Sequence, residues 1–203
     1  MPIIDLAFEL KGTSIPLDYG YALFGAISRI VPAIHGDRRV GVHPIRGIRV
    51  EPARLMLVRQ SRLRLRLPSE EVAAYLPLAG STLELDGDHL RVGIPAAEGL
   101  RPGPVVRSRL VTIGRLIEPA EVAESLRRQL SGLGVGGELN FLPSNDPLDR
   151  GGPARRVIRI KGKKIVGYPI EVAALTAEES LLVQEAGLGS RRRMGCGVFQ
   201  PVI

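Results

Sequence analysis

Read from residue 1 onward, the 203 residues give the element order β-α-β-β-α-β twice, which predicts an α+β fold of two tandem ferredoxin-like halves. Three observations carry this. A first apolar strand is followed by apolar residues at helical spacing. An alternating Arg-Leu run marks a strand buried on one face. A stretch rich in Gly, Pro and Ala, Gly93 to Pro104, then separates two similar series. The domains expected are residues 1–93, a linker at 94–104, and residues 105–203.

Each element has its own signal. Pro2 to Leu10 reads as a strand with Ile4, Leu6, Phe8 and Leu10 on one face. From Pro16 to about Val31 a helix is expected, because Leu17, Tyr21, Phe24, Ile27, Val31 and Ile34 recur every three or four residues. Pro32 should end it, since the residue before a proline avoids the α region. Val42 to Leu67 reads as two strands with a turn near Glu51-Pro52. The second ends with Arg62, Arg64 and Arg66 on one face and Leu63, Leu65 and Leu67 on the other, which predicts a buried face and a basic one. Ser69 is the expected N-cap of a second helix, with Glu70 and Glu71 in its first turn. Thr82 to Val92 reads as a strand pair around Asp86-Gly87-Asp88.

The second series repeats the pattern. Val105 to Ile117 is a strand, and Pro119 to Leu130 a helix that begins on proline. Ser131 to Pro153 reads as a loop, and Arg155 to Glu171 as a hairpin around Lys161-Gly162-Lys163. A helix from Thr176 to Ala186, with Thr176 as N-cap, and a last strand from Gly197 to Ile203 complete the chain.

Composition narrows the classes. Apolar residues make up 44%, enough for a buried core. No apolar run reaches the length of a membrane span, and the first 30 residues lack the basic and apolar regions of a secretory signal. Cys196 is the only cysteine, so neither an internal disulfide nor a multi-cysteine metal site is available. The expectation is a cytoplasmic, soluble protein without membrane, metal or small-molecule cofactor. Its net charge of +7 favours a polyanionic partner. Seven Arg and one acid fall between Arg46 and Arg66, and nine Lys or Arg against four Glu between Ala154 and Ile203. With four Tyr, four Phe and no Trp, base stacking would be sparse, and phosphate is the expected point of grip.

The most specific segment joins the last helix to the last strand. In Gly187-Leu188-Gly189-Ser190-Arg191-Arg192-Arg193-Met194-Gly195-Cys196-Gly197, two Gly-x-Gly units flank five residues, three of them Arg. Glycines allow turns and close backbone approach, and Arg forks suit phosphate. This segment resembles the C-terminal glycine-rich loop, G-h-G-x-x-x-x-x-G-h-G with h hydrophobic, of the CRISPR-associated RAMP superfamily. The tandem ferredoxin-like (RRM-like) order, the loop's place before the last strand and the histidines after the first helix are similar to the Cas6 branch.

The resemblance implies an endoribonuclease that cuts CRISPR precursor transcripts within the repeat, without metal, by attack of the 2′-OH. A non-cleaving RAMP subunit that binds guide RNA in an effector complex is the alternative, and a basic RNA-binding protein unrelated to CRISPR a third. The implied partners are a stem-loop repeat RNA and, for a protein that stays bound to its product, other effector subunits. A catalytic His at the end of the first helix maps onto His35, with His43 as partner or as support of the strand entry; imidazole titrates near neutral pH and can serve as base or acid. Arg38 and Arg39 are read either as cations facing the transition state or as solvated loop charges. Tyr19 and Tyr21 lie on the first helix, Tyr21 on its apolar stripe. RNA contacts are expected from Arg159, Lys161, Lys163 and Lys164, set against an apolar face with Ile158 and Ile160, and from Gly187, Gly189, Ser190, Arg191, Arg192, Arg193, Gly195 and Gly197. Gly132 to Gly137 matches G-x-G-x-x-G but follows a helix, so no dinucleotide site is expected there.

Overall fold

In the computed structural model, residues 1–50, 53–144 and 152–202 are described, and the chain divides into two compact units, Met1–Gly99 and Leu100–Ile203. The first unit is built on β1, Ile3–Lys11. Alternation along β1 places Leu6 opposite Leu65 and Phe8 opposite Leu63 on β6, Arg62–Pro68, and all four side chains are buried. The helix α1, Gly20–Ile30, contributes Leu23, Phe24, Ala26 and Ile27 to the buried residues.

That helix begins four residues later than its periodicity predicts. Ser14–Pro16 forms a short strand, β2, paired with β5, Arg54–Met56, which in turn pairs with β4, Ile48–Val50. The expected two strands between Val42 and Leu67 are therefore four, counting β3, Gly41–Val42. The turn expected at Glu51-Pro52 lies outside the described residues. Pro32 ends α1 as expected, opening a single 3-10 turn, Pro32–His35.

After β6 the helix is shorter than expected. A 3-10 turn, Ser69–Glu71, one α turn, α2 at Val72–Tyr75, and a second 3-10 turn, Leu76–Leu78, follow in series. Ser69 is not a side-chain cap, since its backbone N–H bonds the Pro2 carbonyl at 3.0 Å. A hairpin of β7, Thr82–Leu85, and β8, Asp88–Gly99, completes the sheet. Asp86 and Gly87 both take positive φ at its tip, as tight hairpin turns require. The strand order is β3-β6-β1-β8-β7. Because β8 stays paired with β1 as far as Gly99, residues 94–99 of the expected linker are strand instead.

The second unit is a sheet of order β10-β12-β9-β13, with β11 paired to β12. Its strands are β9 (Val106–Val111), β10 (Glu138–Phe141), β11 (Arg156–Ile160), β12 (Lys163–Ala173) and β13 (Gln200–Pro201). Helices α3, Pro119–Gly132, and α4, Ala177–Ala186, supply Leu126, Leu130 and Val183 to a core shared with Val106, Ile170 and Phe199. Strand β10 falls in the segment read as a loop. Its four residues carry only one period of alternation, and pairing with 170–173 on β12 supplies what the local signal lacks. The last strand is shorter than expected, because residues 195–197 belong to the glycine-rich loop.

Thr176 closes a capping box at the start of α4: its hydroxyl accepts from the Glu179 N–H, and the Glu179 carboxylate accepts from the Thr176 N–H. Glu179 also accepts from the Gly136 N–H at 2.8 Å, tying the exit of α3 to the entry of α4. Thr176→Ala should lower the stability of this unit by about 1 kcal/mol, read as a lower urea midpoint at unchanged slope. Glu179→Ala, which breaks both ties, should lower it further.

Candidate functional site

His35 stands where α1 gives way to its 3-10 turn. Its neighbour Ile34 is fully buried, so the turn is pinned to the core while the next side chain faces solvent. The ring meets Phe24 edge to face, centroids 5.0 Å apart at 77°, which fixes its orientation without covering it. Of the two tyrosines, Tyr19 rather than Tyr21 is the core residue: it is 4% exposed, and its hydroxyl accepts from the Ile45 N–H at 2.6 Å.

The residues after His35 separate the two arginines. Asp37 accepts from the Arg39 backbone N–H at 2.8 Å and from its guanidinium. The same guanidinium reaches Glu71 at 3.0 Å and Glu70 at 3.6 Å. Arg39 is thus held by three carboxylates. Arg38 is exposed, and no hydrogen bond or ion pair engages its guanidinium among the described residues.

His43 has a different environment from His35. It is 2% exposed, and its Nε2–H donates to Asp5 Oδ1 at 3.0 Å. Arg66, 1% exposed, donates to the same carboxylate through Nε at 2.8 Å and Nη2 at 2.9 Å. Burial alone would raise the Asp5 carboxyl, but the hydrogen bonds from His43 and Arg66 outweigh it and hold it well below the usual carboxylate range. Burial likewise pushes the His43 imidazole down to about 4, against the pull of the hydrogen bond to Asp5, with the charges of Arg66 and Arg64 adding to the drop. The structure therefore does not bring the two histidines together as an exposed pair. The expected basic face of β6 is also corrected: Arg66 is withdrawn into this cluster, and Arg64 pairs with Glu98 at 3.0 Å. Asp5 stands out in no motif, its signal being an acid within the apolar start of β1, and Arg66 shows only as one of three alternating arginines.

The glycine-rich loop is held together by backbone contact. Gly187, Gly189, Gly195 and Gly197 all have positive φ, as does Arg191. A Cβ on Gly197 would lie 2.0 Å from the Leu188 carbonyl oxygen, and one on Gly189 would lie 2.6 Å from that of Thr112. Gly197 N–H bonds Leu110 O at 2.7 Å and Ser190 N–H bonds Thr112 O at 2.8 Å, so the loop docks on β9 and just beyond its end. Gly189 N–H donates to the Gln129 amide oxygen at 2.8 Å. Arg191 and Arg192 have work inside the fold. Arg191 donates to Thr112 Oγ1, Ser190 Oγ and Gly114 O. Arg192 donates to Ala186 O at 2.7 Å and Glu185 O at 2.9 Å, placing a cation at the C-terminus of α4.

On the hairpin, Arg159, Lys161, Lys163 and Lys164 are all exposed. The predicted separation of faces is only partial. Arg159 lies opposite Lys164, but Lys163 lies opposite Ile160 and so shares the face of Ile158 and Ile165. Lys161 takes φ 50° in the turn.

The Cas6 Crispr family profile matches residues 4–203. The CRISPR-associated endonuclease Cas6 of Myxococcus xanthus (strain DK1622) is 40% identical over 201 residues, spanning 99% of this chain and 82% of that protein. The chain belongs to the Cas6 family. Its fold is similar to those of a solved CRISPR associated protein Cas6 (TM-score 0.69, 11% identity, 99% of this chain and 100% of the other) and of an RAMP protein binding different RNA substrates (TM-score 0.69, 13% identity, 98% and 100%). As in those structures, sheets and a few helices are mixed along the chain.

Among the described residues, no group of three or more His, Cys, Asp or Glu side chains gathers where it could hold a metal ion, and no helix is long and apolar enough to cross a membrane. The Gly132–Gly137 stretch closes α3 and leads into β10. A Cβ at Gly137 would meet Leu175 at 2.5 Å, so this glycine serves packing.

Gly197→Ala should prevent the loop from closing and lower the melting temperature by several degrees. Gly162→Ala, at φ +76° with nothing within 4 Å, meets only the backbone penalty of about 1–3 kcal/mol. Thermal unfolding of the two variants side by side checks this, with Gly197→Ala the more damaged.

Proposed function

We propose that this Cas6 chain is a metal-independent endoribonuclease that cuts CRISPR repeat RNA in the cytoplasm, with His35 at the reacting phosphate. The observation that carries this reading is the contrast among the three histidines. His43 is sealed in an ion cluster, and His89 sits beside the tip of the β7–β8 hairpin, opposite Glu84. His35 and His89 are both exposed, but only His35 stands at the end of the first helix, on a turn whose Ile34 is fully buried and three residues before the exposed Arg38. The Cas6 name of the Myxococcus xanthus relative, an endonuclease, supports the same reading.

In this scheme the 2′-oxygen attacks phosphorus and its proton passes to a base. The bond to the 5′-oxygen breaks as that oxygen gains a proton. The products carry a 2′,3′-cyclic phosphate and a 5′-OH. His35 supplies one of the two proton transfers. Arg38, whose guanidinium has no partner among the described residues, faces the charge that builds on the phosphoryl oxygens. Arg39, already neutralised by Asp37, Glu70 and Glu71, holds the loop in place. The exposed cations of the β11–β12 hairpin, with the half-buried glycine-rich loop, track the RNA backbone by shape and phosphate contact.

We read both units as ferredoxin-like. With the strands of each motif renumbered in motif order, β3-β6-β1-β8 and β10-β12-β9-β13 each follow the sequence 2-3-1-4. The small β2-β5-β4 sheet and β7 are additions to the first unit, and β11 an addition to the second.

His35→Ala should slow cleavage of a stem-loop repeat RNA by roughly 10²–10⁴-fold while changing its affinity far less, because phosphate grip rests on the arginines and lysines. Arg38→Ala should slow cleavage more than Arg39→Ala in the same single-turnover assay. Unchanged cleavage by His35→Ala would remove the assignment, and tight binding without any cleavage by the wild type would favour the non-cleaving RNA-binding subunit.

A further inference from the structure

We infer that Asp5, Arg66 and His43 form a positioning network that fixes the loop carrying His35, and that His43 acts through this network rather than by proton transfer. The inference rests on the reading of His35 given above. It begins from the weakness of the backbone ties at the end of the loop. Strand β3 has two residues, with Gly41 opposite Arg66 and Val42 opposite Leu65, and His43 N–H bonds Arg64 O at 2.9 Å. So short a ladder specifies register poorly, and a slip by one residue would turn every side chain to the other face.

The side chains supply what the ladder lacks. One Asp5 oxygen accepts from His43 at 3.0 Å and from Arg66 at 2.8 Å, and the second accepts from Arg66 at 2.9 Å. These directional bonds join residue 43 to the middle of β1 and to β6, where apolar contacts would tolerate sliding. A displaced His43 would leave a buried Asp5 oxygen short of a donor, which discourages the slipped register. The intervening residues are tied to the segment that follows β6 through Arg39, Glu70 and Glu71. Val40 is fully buried between these ties. The segment is therefore anchored by Arg39, Val40 and His43 after Arg38 and by buried Ile34 before it, with His35 and Arg38 between these anchors. The other titratable groups facing the cluster are Arg64 and its partner Glu98.

The test compares three replacements of His43 with wild type and His35→Ala, using the full chain. Gln can place an amide donor where Nε2 stood, while Asn is too short to reach Asp5 and Leu has no donor. His43→Gln should cleave repeat RNA within a few-fold of wild type, with a superimposable pH profile. His43→Asn and His43→Leu should cleave roughly 10- to 100-fold more slowly, as expected for a misplaced catalytic group. Their pH profiles should keep the wild-type shape and their RNA affinity should stay within a few-fold. Hydrogen exchange should show faster amide exchange confined to residues 36–42 in these two variants and not in His43→Gln.

Loss of one limb of the pH profile in His43→Gln, together with a rate as low as that of His35→Ala, would overturn the inference in favour of proton transfer by His43. Wild-type cleavage and exchange in His43→Asn, the polar variant chosen in case His43→Leu does not fold, would overturn it in favour of no positioning at all. Wild-type cleavage by His35→Ala would remove the reading beneath it. Faster exchange in His43→Asn would then support loop anchoring alone, and the link to catalysis would be overturned.

Discussion

A single buried carboxylate organises the first unit. Asp5 sits in the central strand, and a charge in that position is tolerated only when its oxygens are satisfied. Arg66 and His43 satisfy them from two other segments. Removing one partner from such a buried cluster generally costs about 3–5 kcal/mol, because the remaining charge is stranded. The arrangement sets the strand β6 against β1 and closes the end of the His35 loop, while burial, against the pull of Asp5, keeps His43 neutral near pH 7. The division of labour between the two histidines follows from it: one is consumed by the fold and the other is presented to solvent.

The second unit depends on a constraint of another kind, the absence of side chains where backbone meets backbone. Gly187 and Gly197 approach so closely that the two Gly-x-Gly ends of the loop lock against each other. With the loop closed in this way, Arg192 caps α4 and Arg191 braces the turn beyond β9. Formal charge in this segment therefore overstates the charge available to a polyanion. The same holds for the first unit, where Arg39, Arg54, Arg64 and Arg66 each have carboxylate partners.

Strong local patterns were legible in the sequence. The α1 stripe, the Pro32 stop, the alternation of β6, the Thr176 cap and the hairpin turns at Asp86-Gly87 and Lys161-Gly162 each have a cause within a few residues. Strands β2 and β10 were not legible, because each has only three or four residues and exists through pairing with distant partners. The same limit applies to the site. The glycine-rich loop could be singled out from its spacing, His35 through the family resemblance and Arg38 by its place between the two histidines. The burial of His43 depends on Asp5 and Arg66, 38 residues before it and 23 after it, a contact that no local pattern records. The alternation of Arg62, Arg64 and Arg66 likewise predicts a common face but not which of them will find acids there.

An exposed imidazole three residues before an exposed arginine in the first unit, and a basic hairpin in the second, each suit a substrate whose phosphate is handle or reacting centre. Attack by the substrate's own 2′-oxygen needs proton transfer and charge neutralisation from the protein, which His35 and Arg38 can provide. The most direct measurement is the mass of the fragments cut from a stem-loop repeat RNA in the presence of EDTA. A 2′,3′-cyclic phosphate on the upstream fragment and a 5′-OH on the downstream one are the result predicted; a 3′-OH with a 5′-phosphate, or no cleavage until a divalent metal is restored, would contradict it.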